Sequence, residues 1–247
     1  KSSWYFSMIL ACIAFVLFAV FVRVPKSQFS ESNSSTPQAV IEHGVLPSVI
    51  SGFKNIKIWL LGLTLCIFMV GNTGFMSFIT QYSIEVLNME PSAAGGLSSL
   101  GFFASVPGGI LAGFVLKRAT PRKNSIAIIA CTIFAAAIFP VGFCCPPYLL
   151  IPYLLVMATV TVFGYAAILV TVPGITAHPV LIGSGMSIVF FGQTLGGTVG
   201  GSFVGALLAA NGWSGTVIPV FLVQCLGIVF SIIVSLLIGI MPQQSQQ

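Results

Sequence analysis

Long apolar runs separated by short polar segments set the pattern of this chain. A bilayer core of about 30 Å needs about 20 apolar residues per helix. Seven segments meet that length, and none contains Lys, Arg, Asp, Glu or His: 4–22, 58–80, 93–116, 125–143, 148–172, 184–210 and 216–240. The pattern predicts an all-α fold, a polytopic membrane helix bundle with seven transmembrane helices.

The composition supports this class, because 57% of the residues are hydrophobic and only 5% are charged. A soluble domain carries far more charge. The net charge of +5 comes from the segments between the spans. It therefore does not indicate nucleic-acid binding.

The positions of Lys and Arg predict the orientation, since basic residues concentrate in short cytoplasmic loops. Segment 23–57 and the turn 117–124 hold every Lys and Arg except Lys1, whereas the loops 81–92, 144–147 and 211–215 hold none. We therefore expect a multi-pass protein of the cell membrane. Its long loop and its C-terminus are expected to be cytoplasmic.

The segment 23–57 differs from the other connections because it is long and rich in Ser, Asn and Gln, as flexible linkers are. It divides the chain into a single transmembrane helix (1–22), a cytoplasmic linker (23–57) and a six-helix domain (58–247). The six helices form two consecutive triplets of opposite orientation, an arrangement common in transporters. Because the chain starts with Lys1 and opens at once into a span, we expect it to be part of a longer protein.

The segment 184–210 carries two ladders of glycine at helical spacing. The first glycine ladder is Gly192, Gly196 and Gly200, and the second glycine ladder is Gly197, Gly201 and Gly205. At about 100° per residue, the six glycines fall within roughly 220° of arc, with Gln193 near its middle. Small residues let helix backbones approach closely in lipid. The segment is thus either a packing helix or a moving gate helix with one polar contact.

A few neutral polar residues lie inside the other spans. Asn72 and Thr73 stand between two glycines, and this Gly-Asn-Thr-Gly run predicts a local opening of the helix. An unpaired amide in hydrocarbon costs several kcal/mol, so Asn72 must face protein or water. It is either an interhelical contact or part of a cavity wall.

These residues give a ranked set of candidates for solute binding. The first group is Asn72, Thr73 and Gln193. The second group has a favoured structural role, as an interfacial anchor or a buried packing residue: Gln81, Tyr165 and Gln224. Pro107, followed by two glycines, predicts a kink in the span 93–116.

No pattern in the chain indicates an enzyme. A nucleophile motif with a carboxylate partner, a metal-binding HExxH motif and the lysine of a phosphate-binding loop are all missing, and the sequence contains no Asp. We expect no cofactor and no metal site. No span carries the charged residues that usually mark ion sites.

The turn between the third and fourth spans, GGILAGFVLKRATPRKN, carries the most specific motif. It resembles the Gly-x3-Asp-Arg-x-Gly-Arg-basic-basic motif of the major facilitator superfamily, which is often echoed between that family's helices eight and nine. The matching residues are Gly113, Arg118, Arg122 and Lys123. The chain departs from the motif at Lys117, Thr120 and Pro121, which replace the Asp, the Gly and an Arg. A charge relay through the Asp is therefore not expected, although the basic cluster can bind lipid phosphates.

The resemblance covers essentially the whole chain. It implies that 4–22 is helix six of twelve, 23–57 the central loop, and the remaining spans helices seven to twelve. It further implies transport of a small solute by alternating access, with a missing N-terminal six-helix half as partner and a proton or sodium as the coupling ion, if one is used. By position, Asn72, Thr73 and Gln193 fall on helices that contribute to the family's central cavity.

Two other functions stay open at this point. Seven spans with an outside N-terminus also fit a complete seven-helix receptor or sensor, although the last span has no Lys for a retinal Schiff base. A membrane subunit without transport of its own is the other alternative. A six-helix half alone would leave its cavity face exposed, so such a subunit would need a partner.

Overall fold

The structure, a computed structural model, describes residues 53–117, 120–176 and 181–239, all within one compact unit. In these ranges the chain is helical apart from short connections, and no strand is present. The predicted span 4–22, most of the linker 23–57 and Arg118 lie outside the described residues.

Seven α-helices follow one another along the described chain: α1 (Ile56–Glu85), α2 (Pro91–Phe103), α3 (Ser105–Leu116), α4 (Pro121–Val141), α5 (Leu150–Ile175), α6 (Ile182–Gly215) and α7 (Val217–Gly239). Two 3-10 turns, Gly142–Cys144 and Pro147–Leu149, join α4 to α5. Because α2 and α3 together make one helix of membrane-spanning length, each of the six spans predicted after the linker corresponds to one helix.

Five of these six helices are long and apolar enough to cross a membrane. α6, with 34 residues, is longer than any of them but is not among these five. The predicted all-helical, multi-span architecture is therefore confirmed for the part of the chain that the structure describes. The seventh span, 4–22, stays a prediction.

Polar residues and prolines mark where the helices begin. Asn55 caps α1, because its side-chain oxygen accepts a hydrogen bond from the Lys57 backbone N–H at 3.1 Å. Pro91 and Pro121 stand in the first turns of α2 and α4, where a missing N–H costs nothing. Between α1 and α2 the chain turns at Asn88, whose left-handed φ of 52° suits Asn.

α1 is the central helix, and it packs most extensively on α6. The two helices run parallel, and the first glycine ladder lies against the α1 backbone at Gly62, Cys66 and Val70. A methyl carbon at Gly200 would be 2.6 Å from the Val70 carbonyl oxygen, and one at Gly192 or Gly196 would overlap the facing carbonyl outright. This ladder is a packing interface in which only glycine fits.

The second glycine ladder is less crowded at two of its three positions, whereas a methyl carbon at Gly205 would be 3.0 Å from the Phe78 ring. A methyl carbon at Gly197 would be 3.7 Å from the Thr73 hydroxyl oxygen, and one at Gly201 would be 3.6 Å from the Ser77 hydroxyl oxygen. The distances at Gly197 and Gly201 are ordinary van der Waals contacts. The two ladders thus differ, because the first lies against the backbone of α1 whereas the second contacts only its side chains.

α1 is continuous through Gly71 and Gly74, so the local opening expected at Asn72 is wrong. The glycines have another use. A methyl carbon at Gly71 would collide with the side chains of Gln224 and Phe139, and one at Gly74 would lie 2.5 Å from a Val204 methyl. They allow neighbouring helices to approach α1, while the helix keeps its own hydrogen bonds as lipid requires.

The interruption in the span 93–116 falls at Ala104, three residues before Pro107. Pro107 itself lies in the first turn of α3. A proline ring clashes with the carbonyl four residues earlier and offers it no N–H, and here that carbonyl belongs to Phe103, the last residue of α2. The helical hydrogen bonding is thus interrupted one turn before Pro107, while the backbone of Ala104 keeps helical angles (φ −62°, ψ −20°). The kink expected at Pro107 stays a prediction.

The bundle has two ends, which we call the Glu85 end, where α1 ends, and the Lys117 end, where α3 ends. At the Glu85 end α6 breaks at Gly212, whose φ of 67° favours glycine. Trp213 then lies against α1, with its ring 5.1 Å from that of Tyr82 and its N–H donating to Glu85 at 3.3 Å. These contacts fix the end of α6 to the end of α1.

Candidate functional site

Neutral polar side chains from three helices meet on one side of the bundle. The Thr161 hydroxyl of α5 donates to the Asn72 side-chain oxygen of α1 at 3.2 Å. One turn further along α5, the Tyr165 hydroxyl donates to the Gln193 side-chain oxygen of α6 at 3.3 Å. Asn72, Gln193 and both hydroxyl residues are only half-buried. α5 therefore bridges α1 and α6 through two polar pairs.

The helical spacing of Thr161 and Tyr165 explains this bridge, because residues four apart lie on the same helix face. Thr161 also donates to the Met157 carbonyl of its own helix at 2.8 Å. A hydroxyl has one proton to share between two acceptors, so its contact with Asn72 is weak and exchangeable. The Asn72 amide can thus turn to another partner at little cost.

A cavity of about 440 Å³ opens between α1, the α2–α3 pair and α5. Its polar wall consists of hydroxyls and one amide: Asn72, Thr73, Ser77, Ser105 and Thr161. The rest of the wall is apolar, formed by Met76, Gly101, Phe102, Leu154, Met157, Ala158 and Val162. We call this space the amide cavity. Its volume lies in the range of small-molecule sites.

The break between α2 and α3 lies in the wall of the amide cavity. Phe102 and Ser105, which flank the break, both line the cavity. The Ser105 hydroxyl donates to the Phe102 carbonyl at 2.5 Å, so both residues that flank the break are joined by a hydrogen bond. A helix that bends at this position would change the shape of the cavity.

Thr73 connects the amide cavity to the second glycine ladder. It lines the cavity and lies beside Gly197 of α6. Gln193 and Tyr165 do not line the cavity but stand next to it on α6 and α5. The three first-group candidates Asn72, Thr73 and Gln193 thus lie on one side of the bundle.

The second-group candidates other than Tyr165 lie elsewhere. Gln224 is 2% exposed, and its amide donates to the Ile67 carbonyl at 2.9 Å, which ties α7 to α1. Gln81 is exposed at the Glu85 end and donates to Glu85 at 2.7 Å. Neither side chain lines the amide cavity.

Sequence reasoning missed the hydroxyl residues of the amide cavity, above all Thr161, Ser77 and Ser105. Hydroxyls are common in membrane helices because they can bond to their own backbone, and Thr161 does so. The sequence did place Thr161 four residues before Tyr165, and this spacing puts both hydroxyls on one face of α5. That spacing becomes informative only once the facing residues Asn72 and Gln193 are known.

The basic motif residues lie at the Lys117 end. Lys117 caps the end of α3, Arg122 and Lys123 lie in the first turn of α4, and all three are exposed, as is Gly113. A second cavity, of about 360 Å³, reaches from Lys117 and Asn124 between α3, α5 and the end of α7. We call it the basic-end cavity.

Comparison with known proteins agrees with this architecture. The family model described as "Major Facilitator Superfamily" matches residues 1–201. The chain is also similar to "Protein TsgA homolog" of Buchnera aphidicola subsp. Acyrthosiphon pisum, strains Tuc7, 5A and APS, with 27% identity over 105 residues, which is 42% of this chain. The matched part covers 24% of each relative, about a quarter of its length.

The family match covers most of the chain, from its first residue into the second glycine ladder. It agrees with the multi-span helical bundle and with the absence of any enzyme motif in the sequence. The chain belongs to the major facilitator superfamily, a family of membrane transporters.

Proposed function

We propose that this chain is the C-terminal part of a secondary transporter or facilitator that moves a small solute by alternating access. In this proposal 1–22 is the last helix of the N-terminal half, 23–57 is the cytoplasmic linker, and 58–247 is the C-terminal six-helix half. The N-terminal half supplies the other wall of the solute pathway. Membership of the superfamily supports this organisation.

One observation supports the position of the pathway above all others. Partly exposed amides and hydroxyls from α1, α5 and α6 lie together on one side of the bundle. Facing lipid would leave the remaining donors of the two amides unpaired, at a cost of several kcal/mol per unpaired group. This side of the bundle therefore faces protein or water, as the wall of a central pathway does.

The lining of the amide cavity favours a particular kind of solute. Amide and hydroxyl groups both donate and accept hydrogen bonds, and no ionisable side chain is among the residues that line it. We infer that this half contacts the neutral polar part of a small organic solute. Asn72, Thr73 and Gln193 provide these contacts, assisted by Thr161 and Tyr165.

The packing supports a division between fixed and moving parts. The first glycine ladder holds α6 against the α1 backbone, so these two helices move as one body. The break at Ala104 lets α2 bend relative to α3 beside the cavity. The second glycine ladder is half-buried and contacts only side chains of α1, so this face of α6 can also meet the N-terminal half.

Transport by the full-length protein in proteoliposomes tests the proposal. Radiolabelled hexoses, neutral amino acids and nucleosides serve as a panel of neutral solutes. With the solute that is taken up, Asn72→Ala and Gln193→Ala should lower uptake about tenfold, the effect of losing about 1.4 kcal/mol. Gln81→Ala, which removes an exposed amide at the Glu85 end, should behave as wild type.

Two results would contradict the proposal in different ways. Normal uptake by both cavity variants at normal expression would show that the site is wrong. Binding of a panel solute, seen as a thermal shift, without uptake or exchange would favour a receptor or a non-transporting subunit.

A further inference from the structure

The basic-end cavity is polar at one end and apolar along the rest of its wall. Lys117 and Asn124 form the polar end, together with Thr171. The hydroxyl of Thr171 is already bonded to the Ala167 carbonyl at 2.7 Å. The remaining wall comes from small or aliphatic residues: Ala112, Leu116, Ala166, Val170, Ile175 and Ile238. This is the distribution of polarity in an amphiphile.

Asn124 is the unusual residue of this cavity. It is 5% exposed, and its side-chain oxygen has no hydrogen-bond partner among the described residues. A buried acceptor without a donor destabilises the folded protein. The backbone N–H of Asn124 bonds to Thr120, so the helix does not need the side chain. The side-chain oxygen of Asn124 therefore needs a hydrogen-bond donor that does not belong to the described residues.

Lys117 adds a positive charge at the same end of the cavity. It is exposed at the end of α3, and the only carboxylates among the described residues, Glu85 and Glu90, belong to the other end of the bundle. The ammonium group is thus free to bind an anion. The cavity combines one cation, one unfilled acceptor and an apolar wall.

We propose that the basic-end cavity binds a phospholipid whose headgroup carries both a phosphate and a hydroxyl donor, as phosphatidylglycerol does. The phosphate binds the Lys117 ammonium group, a headgroup hydroxyl donates to the Asn124 oxygen, and the start of an acyl chain lies along the apolar wall. A free phosphate ion has the same anionic chemistry, but it would leave that wall uncovered. The site is separate from the amide cavity and does not depend on the proposed solute pathway.

Thermal unfolding of the detergent-purified full-length protein tests this site. Phosphatidylglycerol, phosphatidylmethanol and inorganic phosphate are added separately at equal concentration. Phosphatidylmethanol has the same net charge as phosphatidylglycerol but no headgroup donor, so phosphatidylglycerol should raise the unfolding midpoint by about 2 °C more, as a tenfold difference in affinity would. Inorganic phosphate should raise it little.

Three variants separate this site from general surface charge. Lys117→Gln should lose the response to both lipids, while Lys123→Gln, which removes an exposed cation of the same cluster that does not line the cavity, should keep it. Asn124→Leu should lose the preference for phosphatidylglycerol over phosphatidylmethanol. Without lipid, Asn124→Leu should unfold no earlier than wild type, since it removes an unpaired polar group.

Several outcomes would overturn the proposal. Equal shifts with both lipids would remove the role of Asn124, and an equal loss in Lys117→Gln and Lys123→Gln would indicate surface charge alone. A shift with inorganic phosphate as large as with phosphatidylglycerol would identify a free anion as the occupant. If Asn124→Leu does not fold, Asn124→Ala provides the same comparison.

Discussion

The hydroxyl of Tyr165 donates a hydrogen bond to the side-chain oxygen of Gln193 over 3.3 Å, and this contact joins α5 to α6. Both side chains are only half-buried and lie beside the amide cavity. The pair therefore links α5, which also contributes Thr161 to the cavity, to α6, which packs on α1. A contact between two neutral groups at this distance is weak enough to exchange for a solute.

We expect Tyr165→Phe to lower the free energy of unfolding by about 1 kcal/mol, the net value of one hydrogen bond. Because the hydroxyl acts through Gln193, the double variant with Gln193→Ala should be no less stable than Gln193→Ala alone. A double-mutant cycle from thermal unfolding measures this coupling. Strictly additive losses would show that the two side chains do not interact.

Adjacent glycines should respond very differently to the same substitution. Gly196→Ala places a methyl group against the Cys66 carbonyl, whereas the methyl group of Gly197→Ala meets the Thr73 hydroxyl at 3.7 Å. We expect Gly196→Ala to destabilise the protein by about 1–3 kcal/mol through overpacking. Gly197→Ala should change stability by less than about 0.5 kcal/mol.

Thermal unfolding and the yield of folded protein in detergent compare these two glycine variants directly. The same comparison of Gly200→Ala with Gly201→Ala provides a second pair at the same helical spacing. Equal effects within both pairs would mean that the α1–α6 interface is not the one described.

Pro107→Ala should join α2 and α3 into one straighter helix. The substitution restores an N–H that the Phe103 carbonyl can accept and removes the clash of the proline ring. Stability should stay the same or rise, while uptake of the transported solute falls because the cavity wall bends less easily. Proteoliposome uptake measured beside thermal unfolding separates the two effects. Unchanged uptake by a stabilised variant would exclude bending at Ala104 from the transport cycle.

The adjacent cysteines at the Glu85 end should differ in reactivity and report the orientation. Cys144 is exposed, whereas Cys145 is 3% exposed, and burial raises the pKa of the Cys145 thiol. A raised pKa leaves less reactive thiolate at neutral pH. A membrane-impermeant maleimide applied to intact cells should therefore label a single-cysteine variant retaining Cys144 much faster than one retaining Cys145.

Raising the pH towards the Cys145 pKa should narrow the difference in labelling, because the thiolate fraction of Cys145 grows. Labelling of Cys144 only after the cells are permeabilised would place the Glu85 end in the cytoplasm. That result would reverse the orientation expected from the basic loops.

The helices could be predicted from the sequence because hydropathy depends on residue type alone. Six of the predicted spans correspond to described helices, and the boundaries differ mainly by an extra turn, as at Glu85 for α1. The extra turns are polar enough to leave the apolar core of a membrane while staying helical. A length criterion based on apolar residues cannot detect them.

The contacts within the bundle could not be predicted, because they depend on how each helix is rotated about its axis. The two glycine ladders have the same spacing and composition, yet only Gly192, Gly196 and Gly200 face the α1 backbone. Likewise, the pairing of Asn72 with Thr161 joins residues that are 89 positions apart. Neither the hydrophobic pattern nor the low helix propensity of Gly71 and Gly74 shows which side of each helix faces its neighbour.

The order of synthesis gives the α1–α6 interface a further consequence. α1 leaves the ribosome first among the described helices, and the first glycine ladder follows about 130 residues later, on the order of ten seconds at ordinary elongation rates. The first glycine ladder will pack against the carbonyls of Gly62, Cys66 and Val70. These carbonyls already accept helical hydrogen bonds within α1. The nascent α1 can therefore reside in lipid without an unpaired carbonyl until α6 is inserted, and the α1–α6 interface forms only late in synthesis.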